Sequence, residues 1–193
     1  MKKIIPLLLA SLFILAGCGA DPEAGEGKKI ATADHLGYYL EYPESWMFDT
    51  SEPVLTLTAA KGIVVTTDIT DPNEGELIGS YLRPNLTVTS FALGTGTYPT
   101  VKSFWDDMYV RYQAMFTEID DKADIPEKAV TAGKYEALEY IFTAKLAGVE
   151  YKYLQTVFFA HSDVYILTYT CTAAAFDDYL VDVREMIGSF GLK

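Results

Sequence analysis

Three long runs of strand-forming residues follow one another in the C-terminal half of the chain. They span Lys134–Ala147, Glu150–His161 and Val164–Thr172, and they are rich in Tyr, Phe, Val, Ile, Leu and Thr. Only Gly148 and the segment His161–Asp163 interrupt them, and breaks this short connect antiparallel neighbours. The sequence therefore predicts three consecutive antiparallel strands as the centre of the fold.

The period of the apolar residues changes from two to 3.6 after Thr172. Five apolar residues then fall on one helical stripe: Phe176, Leu180, Val183, Ile187 and Phe190. We expect Thr172 to cap the first turn of this helix. Burial of each apolar side chain is worth about 1.5–3 kcal/mol, so we expect the helix to belong to the core. Both faces of the third strand are largely uncharged, which predicts covering layers on both sides of the sheet.

Further strand and helix patterns occupy the middle of the chain. Gly37–Trp46 is predicted to form a strand followed by a turn at Pro43, and Val54–Ala59 and Ile63–Thr70 are predicted to form a hairpin around Lys61–Gly62. The next predicted elements, in chain order, are a strand at Asn85–Leu93, a helix at Val101–Phe116 and an acidic loop at Thr117–Glu127. Ser103 and Asp106 have the spacing of a capping box, so we expect them to start the helix. One domain accounts for all these elements.

Several of these segments resemble PsbP-like proteins. TAGKYEALEYIF, YKYLQTVFFAHSDVYILTYT and FDDYLVDVREMIGSF resemble the C-terminal half of that family, and GYYLEYPESW and RPNLTVTSF resemble its opening and mid-domain strands. The resemblance covers most of residues 36–192. It implies an α+β fold, an α/β/α sandwich in which helices flank a central antiparallel sheet. It also implies a binding or accessory role, since PsbP is an extrinsic, non-catalytic subunit of photosystem II and many bacterial members are lipoproteins.

The N-terminus has the pattern of a bacterial lipoprotein signal peptide. Lys2 and Lys3 precede an apolar run that is too short to span a bilayer, and this run ends in Leu15–Ala16–Gly17–Cys18. That ending resembles a lipobox, which implies cleavage before Cys18 and attachment of acyl chains such as palmitate to its thiol and amine. Two or more acyl chains suffice for durable membrane attachment.

These patterns divide the chain into three parts. We expect a signal peptide over residues 1–17, a lipidated Cys18 followed by a flexible tether over residues 18–34, and a single PsbP-like domain over residues 35–193. The protein is then expected to lie outside the cytoplasm, anchored to the cell membrane, or to the outer membrane in a host that has one.

The charge and the cysteines narrow the classes of function. The formal charge is −12, and loss of Lys2 and Lys3 with the signal peptide makes it −14. Such an acidic chain is repelled by nucleic acid, so nucleic-acid binding is not expected. Lipid on Cys18 leaves Cys171 as the other cysteine, and its place on the apolar face of a strand predicts an inert buried thiol.

Four motifs invite a catalytic or binding interpretation, and the sequence favours a structural one for each. Neighbouring residues such as His161, Ser162 and Asp163 cannot form a triad, which needs side chains from separate places. The segment Gly94–Thr97 lacks the remaining parts of a phosphate loop. The acidic segments Asp71–Glu76 and Glu118–Glu127 depart from the calcium-loop pattern, and a weak calcium site is the less favoured alternative. We therefore predict no catalytic residue, no resident metal and no cofactor.

Two classes of function remain. The sequence favours a membrane-tethered, non-catalytic binding or accessory module for an envelope or membrane protein complex, whose partner is unknown. The alternative is an envelope hydrolase or a lipoprotein that binds a small solute or metal. The abundant aromatic residues favour core and cross-strand packing over a ligand groove.

One loop supplies a candidate partner contact. Four apolar residues in Asp71–Arg83 would share one side of a short helix: Leu77, Ile78, Tyr81 and Leu82. They either pack against the sheet or, if exposed, form a docking patch.

Overall fold

An antiparallel sheet organises the part of the chain that the structure describes. The structure, a computed structural model, describes residues 23–32, 37–49, 61–67, 84–94, 97–146 and 148–193. The strands are β1 (Lys28–Ala31), β2 (Tyr38–Pro43), β3 (Trp46–Asp49), β4 (Lys61–Thr67), β5 (Asn85–Ala92), β6 (Glu118–Ile119), β7 (Glu127–Ala132), β8 (Tyr135–Leu146), β9 (Val149–Ala160), β10 (Asp163–Thr172) and β11 (Gly191–Leu192). The helices are α1 (Val101–Met115) and α2 (Leu180–Gly188), with 3-10 turns at Lys122–Asp124 and Phe176–Tyr179.

Within the described residues, the main sheet has eight strands. Its order is β3-β4-β5-β10-β9-β8-β6, and β7 also pairs with β8, alongside β6 on the same edge. Every pairing is antiparallel. The predicted run of three strands is confirmed as β8, β9 and β10. Its turns fall at Gly148 and His161, which both have positive φ, 83° and 56° respectively.

Apolar side chains cover both faces of the main sheet. On the α1 face, Phe104, Trp105 and Tyr109 pack with residues such as Tyr140 and Val157. On the α2 face, the apolar stripe of α2 packs with another set of buried residues, among them Val183, Met186, Ile187, Phe158, Leu167 and Tyr169. A second sheet, of order β1-β2-β11, adds buried residues to the α2 face. The predicted α+β fold, with helices on both faces of an antiparallel sheet, is therefore confirmed.

The N-cap of α1 lies three residues before the first residue of the predicted capping box. Thr100 is the N-cap: its side chain accepts a hydrogen bond from the Ser103 backbone N–H (3.0 Å), and the Thr100 N–H donates to Ser103 Oγ (3.2 Å). Ser103 thus closes the box as its third helical residue, and the prediction that it opens the box is wrong. Asp106 instead accepts charge-assisted hydrogen bonds from Lys102, one turn earlier, because the two lie on the same side of the helix.

The last helix also starts later than predicted. Thr172 ends β10 opposite Tyr151, so its backbone belongs to the sheet and it caps no helix. The chain turns and passes through the 3-10 turn before α2, and neither helical segment has a side-chain cap. Phe176 and Phe190 are buried as predicted, but Leu180 is only partly buried.

Two predictions about the N-terminal half are wrong. Lys28–Ala31 was expected within the flexible tether, yet it forms β1, and Ala31 is fully buried. Pairing with β2 over four residues outweighs the polar, glycine-rich local composition. Lys61–Gly62 was expected as a turn, yet it begins β4 and pairs with Ser90 and Thr89 of β5. The Val54–Ala59 strand prediction falls outside the described residues.

Among the described helices, none has the length and apolar character needed to cross a membrane.

Candidate functional site

Several of the predicted site residues lie outside the described residues. These are the lipidation site Cys18 and the proposed contacts Leu77, Ile78, Tyr81 and Leu82. They remain predictions from the sequence, as do the signal peptide, the Asp71–Glu76 loop and the center of the Gly94–Thr97 segment.

The His161–Ser162–Asp163 segment is a strand connection. His161 adopts the left-handed conformation that the tight turn requires, and the Ser162 carbonyl accepts a hydrogen bond from the Leu93 N–H at 2.9 Å. Asp163 already belongs to β10, opposite Ala160 of β9. The turn assigned from the sequence is therefore confirmed.

The acidic segment after α1 is more ordered than a solvated loop. It contains β6 and a 3-10 turn, and its carboxylates hold the local backbone in place. Asp120 Oδ2 accepts a hydrogen bond from the Thr143 N–H at 2.6 Å, and Asp121 Oδ1 accepts one from the Ala123 N–H at 3.0 Å. Across the described residues, no three His, Cys, Asp or Glu side chains are grouped to hold a metal ion.

Most of the described aromatic side chains pack in the interior rather than line a groove. Trp105 stacks on Tyr140 with ring centroids 3.9 Å apart and an angle of 9° between the planes. On the opposite face, Phe158 stacks between Tyr135 and Tyr165, with centroids 5.2 Å from each. The core role that the sequence favoured for the aromatic residues is confirmed for these positions.

A buried polar node lies between α1 and the sheet. Gln155 Oε1 accepts a hydrogen bond from Trp105 Nε1 (3.2 Å), and Gln155 Nε2 donates to Tyr112 Oη (2.8 Å) and Thr168 Oγ1 (3.2 Å). Burial raises the pKa of Tyr112, whose hydroxyl accepts the hydrogen bond from Gln155. The node is satisfied within the fold and fixes the position of α1 on the sheet.

The α2 face contains a buried carboxylate. Glu139 is only 5% exposed, and its Oε1 accepts a hydrogen bond from Arg184 Nη2 at 2.9 Å. Lys128 Nζ lies 3.7 Å from the same oxygen. Thr156 is the cross-strand neighbour of Glu139, and its buried Oγ1 has no hydrogen-bond partner among the described residues. Arg184 and Lys128 reach Glu139 from α2 and β7, so this ion pair joins the helix to the sheet.

A shallow depression opens where β6 pairs with β8. It has a volume of about 130 Å³ and these lining residues: Glu118, Ile119, Asp120, Thr143, Ala144, Lys145 and Glu150. Lys145 Nζ donates to Glu118 Oε2 at 2.8 Å, and this ion pair raises the pKa of Lys145. The depression is thus lined by charges of both signs and by the polar edge of the sheet.

Two exposed apolar side chains lie at the same edge of the sheet but on its α1 side, whereas the paired Lys145, Glu118 and Glu150 face the other side. Leu146 follows Lys145 and is 42% exposed, and Met115 is 47% exposed at the end of α1. The Thr117 N–H donates to the Lys145 carbonyl at 3.1 Å, which brings the end of α1 to the β8–β9 turn. We call this region the contact surface and define it by Met115, Glu118, Asp120, Lys145, Leu146 and Glu150.

Local sequence patterns contain little signal for the contact surface. Its residues come from the end of α1 with the segment that follows it, and from the β8–β9 hairpin, and the two-residue pairing of β6 with β8 joins the two. The sequence predicts an acidic loop at Glu118 and Asp120 and a strand at Lys145 and Leu146, with no indication that they meet. Apolar side chains beside charged ones are typical of protein contacts, whereas a shallow and open depression does not shield a reaction from water.

Comparisons with known proteins identify the fold. No protein-family model matches the sequence, and no curated protein sequence matches it. The structure is similar to that of the cyanobacterial PsbP protein CyanoP from Synechocystis, with a TM-score of 0.59 and 12% identity over 93% of this chain and 99% of that one. It is also similar to LpqN of Mycobacterium tuberculosis, a protein described as involved in cell envelope biogenesis, with a TM-score of 0.52 and 12% identity over 89% of each chain.

A third similar structure belongs to a larger protein from Bacteroides thetaiotaomicron. The TM-score is 0.52 and the identity 9%; the match covers 86% of this chain but only 49% of the other, so the present chain spans about half of that protein's length. Sequence identities this low support conclusions about fold and leave activity open. The similarity to CyanoP, together with the antiparallel sheet flanked by α1 and α2, shows that this chain has a PsbP-like fold.

Proposed function

We propose that this protein is a membrane-tethered, extracytoplasmic lipoprotein that acts as a non-catalytic binding or accessory module for an envelope or membrane protein complex. The observation that carries the binding role is the contact surface. There the exposed Met115 and Leu146 lie on the α1 side of the sheet edge whose other side has the depression lined by Glu118, Lys145 and Glu150. The faces of the sheet itself are packed with core residues. A protein partner would cover the apolar side chains and pair with the charged rim.

The membrane anchor rests on the sequence alone. Leu15–Ala16–Gly17–Cys18 follows a positively charged start and a short apolar run, as in lipoprotein precursors. The fold adds one consideration: β1 begins at Lys28, so only nine residues separate it from Cys18. Even a fully extended chain of nine residues spans only about 30 Å. The domain would then work close to the membrane surface, within reach of membrane proteins.

The roles described for two similar proteins favour the same setting. LpqN is described as involved in cell envelope biogenesis, and CyanoP is a cyanobacterial PsbP. Those roles belong to those proteins, and they support an envelope role here by analogy of fold.

The anchor is tested by replacing the acylated residue. Full-length protein and its Cys18→Ser variant are expressed in the host with a clickable palmitate analogue, and membranes are separated from soluble material. We expect label and membrane attachment for the parent chain, and an unlabelled precursor or released protein for the variant. A cleaved Cys18→Ser protein that stays on the membrane would contradict lipid anchoring.

The contact surface is tested by site-specific photo-crosslinking. A photoreactive amino acid replaces Leu146 in the full-length protein, and native membranes are irradiated. The matched control places it at Val181, which is 68% exposed on α2 and therefore lies on the other face of the sheet. We expect a discrete adduct with an envelope protein at Leu146 and a much weaker one at Val181. Equal adducts at the two positions, or none at Leu146, would contradict this surface.

The predicted contact in the Asp71–Arg83 loop has its own test. Ile78→Asp combined with Leu82→Asp should abolish crosslinks while leaving the melting temperature unchanged if Leu77, Ile78, Tyr81 and Leu82 dock a partner. A large loss of stability would show instead that these side chains belong to the core. Unchanged melting with unchanged crosslinks would remove the loop as a contact.

A further inference from the structure

Strand β7 forms an outer edge of the main sheet. Its six residues, Glu127–Ala132, pair with Tyr135–Tyr140 of β8 on one side. Within the described segments, no strand pairs with its other side. A strand in this position directs alternate N–H and C=O groups outward, over a length of about 20 Å.

The middle of this edge, residues 129–131, lacks the usual protection against pairing. Natural edges are blocked by proline, charge, bulges or a covering element. Pro126 and Lys128 stand at the beginning of β7, whereas the four residues after Lys128 carry no charge. Ala129 and Thr131 are exposed, and the adjacent β-branched Val130 favours the strand conformation.

Two copies of this edge are complementary to each other. An antiparallel pair related by a two-fold axis perpendicular to the sheet places one residue opposite its own copy. With the axis at Ala129, Lys128 lies opposite Val130 and Glu127 opposite Thr131. With the axis at Val130, Lys128 lies opposite Ala132. Neither register places like charges opposite each other, whereas a parallel pair would place each Lys128 beside the other.

Local charge does not oppose this approach. Glu127 and Lys128 are adjacent, and Lys128 also lies 3.7 Å from the buried Glu139 carboxylate. On the adjoining strand, Glu136 stands opposite Thr131, next to the β7–β8 turn that carries Lys134. Opposite charges therefore balance along the edge, although the chain as a whole has a formal charge of −12.

We propose that β7 pairs with β7 of a second copy of this chain, in antiparallel orientation about a two-fold axis at Ala129 or Val130, so that the two main sheets become continuous. We assign a second copy as the partner because a two-fold antiparallel pairing brings together the same uncharged segment of β7 from both chains. This self-association does not depend on the proposed function. The contact surface stays accessible because β6 and β7 pair with different parts of β8.

Disulfide trapping in native membranes tests the proposal. Ala129→Cys and Val130→Cys are made separately in the full-length chain, and Glu127→Cys is the matched control on the same strand. Residues directly opposite in an antiparallel pair have Cα atoms about 4.5–5.5 Å apart, which suits a disulfide. Glu127 lies at least four residue steps, about 13 Å, from its copy in either register.

We expect mild oxidation to give a disulfide-linked homodimer at Ala129 or Val130, and none at Glu127. The unsubstituted chain is oxidised in parallel as a control for disulfides formed through Cys18 or the buried Cys171. Because Ala129 is exposed, we expect the Ala129→Cys variant and the parent to have equal melting temperatures. Equal values would establish that the fold of the variant is intact. No homodimer at either position, or a product that contains a different protein, would overturn the proposal.

Salt dependence gives a second readout. Since backbone pairing is insensitive to salt while the two acidic copies repel each other, the trapped fraction should rise with ionic strength. A fraction that falls as salt is added would indicate an ionic contact and would overturn strand pairing.

Discussion

The two faces of the main sheet are covered in different ways. On the α1 face a single 15-residue helix, started by its own capping box at Thr100 and Ser103, supplies the covering layer. On the α2 face the helix has nine residues and no side-chain cap, and the rest of the layer is a three-stranded sheet built from near both ends of the chain. The α1 layer is therefore specified locally, whereas the α2 layer depends on distant contacts.

The polar groups inside the two faces also differ. Gln155 and Thr156 are adjacent on β9 and point to opposite faces. On the α1 face Gln155 is hydrogen-bonded through both ends of its amide, whereas the Thr156 hydroxyl on the α2 face lacks a described partner. The comparison indicates that α1 is positioned by a specific polar contact, while α2 is held mainly by apolar packing and by the Arg184–Glu139 ion pair.

Truncation after Ala175 should have the largest effect, because it removes α2 and β11 from the layer that covers the α2 face. The lost buried residues lie in the 3-10 turn, in α2 and directly before β11: Phe176, Val183, Met186, Ile187 and Phe190. Their burial is worth about 10 kcal/mol in total, similar to the whole stability of a domain. We expect no cooperative melting transition by circular dichroism. A sharp transition near the midpoint of the longer chain would show that the α1 face alone sustains the fold.

Replacing Gly133 by Ala should destabilise the contact between the β7–β8 turn and the end of α2. Gly133 has a φ of 54°, its N–H donates to the Ile187 carbonyl at 3.1 Å, and a Cβ there would overlap the Phe190 carbonyl oxygen. The backbone strain costs about 1–2 kcal/mol and the overlap about 1–3 kcal/mol more.

The control for this variant is Gly148→Ala. Gly148 also has a positive φ, but a Cβ there would meet no atom within 4 Å. We expect chemical denaturation to show a loss of about 1–2 kcal/mol for Gly148→Ala and a clearly larger loss for Gly133→Ala. Equal losses would mean that the turn does not depend on its contact with α2.

A pair of substitutions on β9 should separate the polar character of the two faces. Gln155→Leu leaves the Trp105 N–H and the Tyr112 hydroxyl without their partner, so we expect a loss of about 1–3 kcal/mol. Thr156→Val removes a hydroxyl that lacks a described partner and keeps the shape of the side chain, so its stability should stay the same or increase. Urea denaturation of both variants measures this difference, and a loss for Thr156→Val equal to that for Gln155→Leu would contradict it.

Asp107→Asn should have the smallest effect, confined to the outer side of α1. The Tyr98 hydroxyl and Arg111 donate to Asp107, and these hydrogen bonds hold the pKa of its carboxyl below the ordinary value of 3.8. A lowered pKa in the folded state stabilises the protein above the ordinary pKa, and this stabilisation is lost as the pH falls through the lower value.

Because Asp107 is well exposed, the loss at neutral pH should be below about 1 kcal/mol. The difference in melting temperature between Asp107→Asn and the parent should therefore shrink as the pH is lowered below the ordinary pKa. A difference that persists unchanged at acid pH would assign the effect to packing instead of charge.

The sequence predicted the elements whose signals are local and strongly periodic. The strands β8, β9 and β10, the helix α1 and the apolar stripe of α2 all follow from side-chain spacing, and the turns at Gly148 and His161 follow from short interruptions. The cap of α1 was misplaced because both Thr100 and Ser103 are good capping residues, and only the backbone geometry distinguishes them.

The remaining features depend on contacts that local pattern does not encode. Lys28–Ala31 has the composition of a linker and becomes a strand only because β2 pairs with it. The contact surface is a comparable case, since Lys145 meets Glu118 through the short pairing of β6 with β8. Sequence spacing cannot reveal an ion pair between residues so far apart in the chain.

The position of β2 between β1 and β11 has a consequence for synthesis. Tyr39 of β2 pairs with Gly191, almost at the last residue, and the Lys193 N–H donates to the Gly37 carbonyl at 2.9 Å. A nascent chain emerging from the ribosome presents β2 early, but β2 gains its second neighbour only after β11, about 150 residues later, has been synthesised. A product that terminates before β11 therefore leaves one side of β2 available for wrong partners.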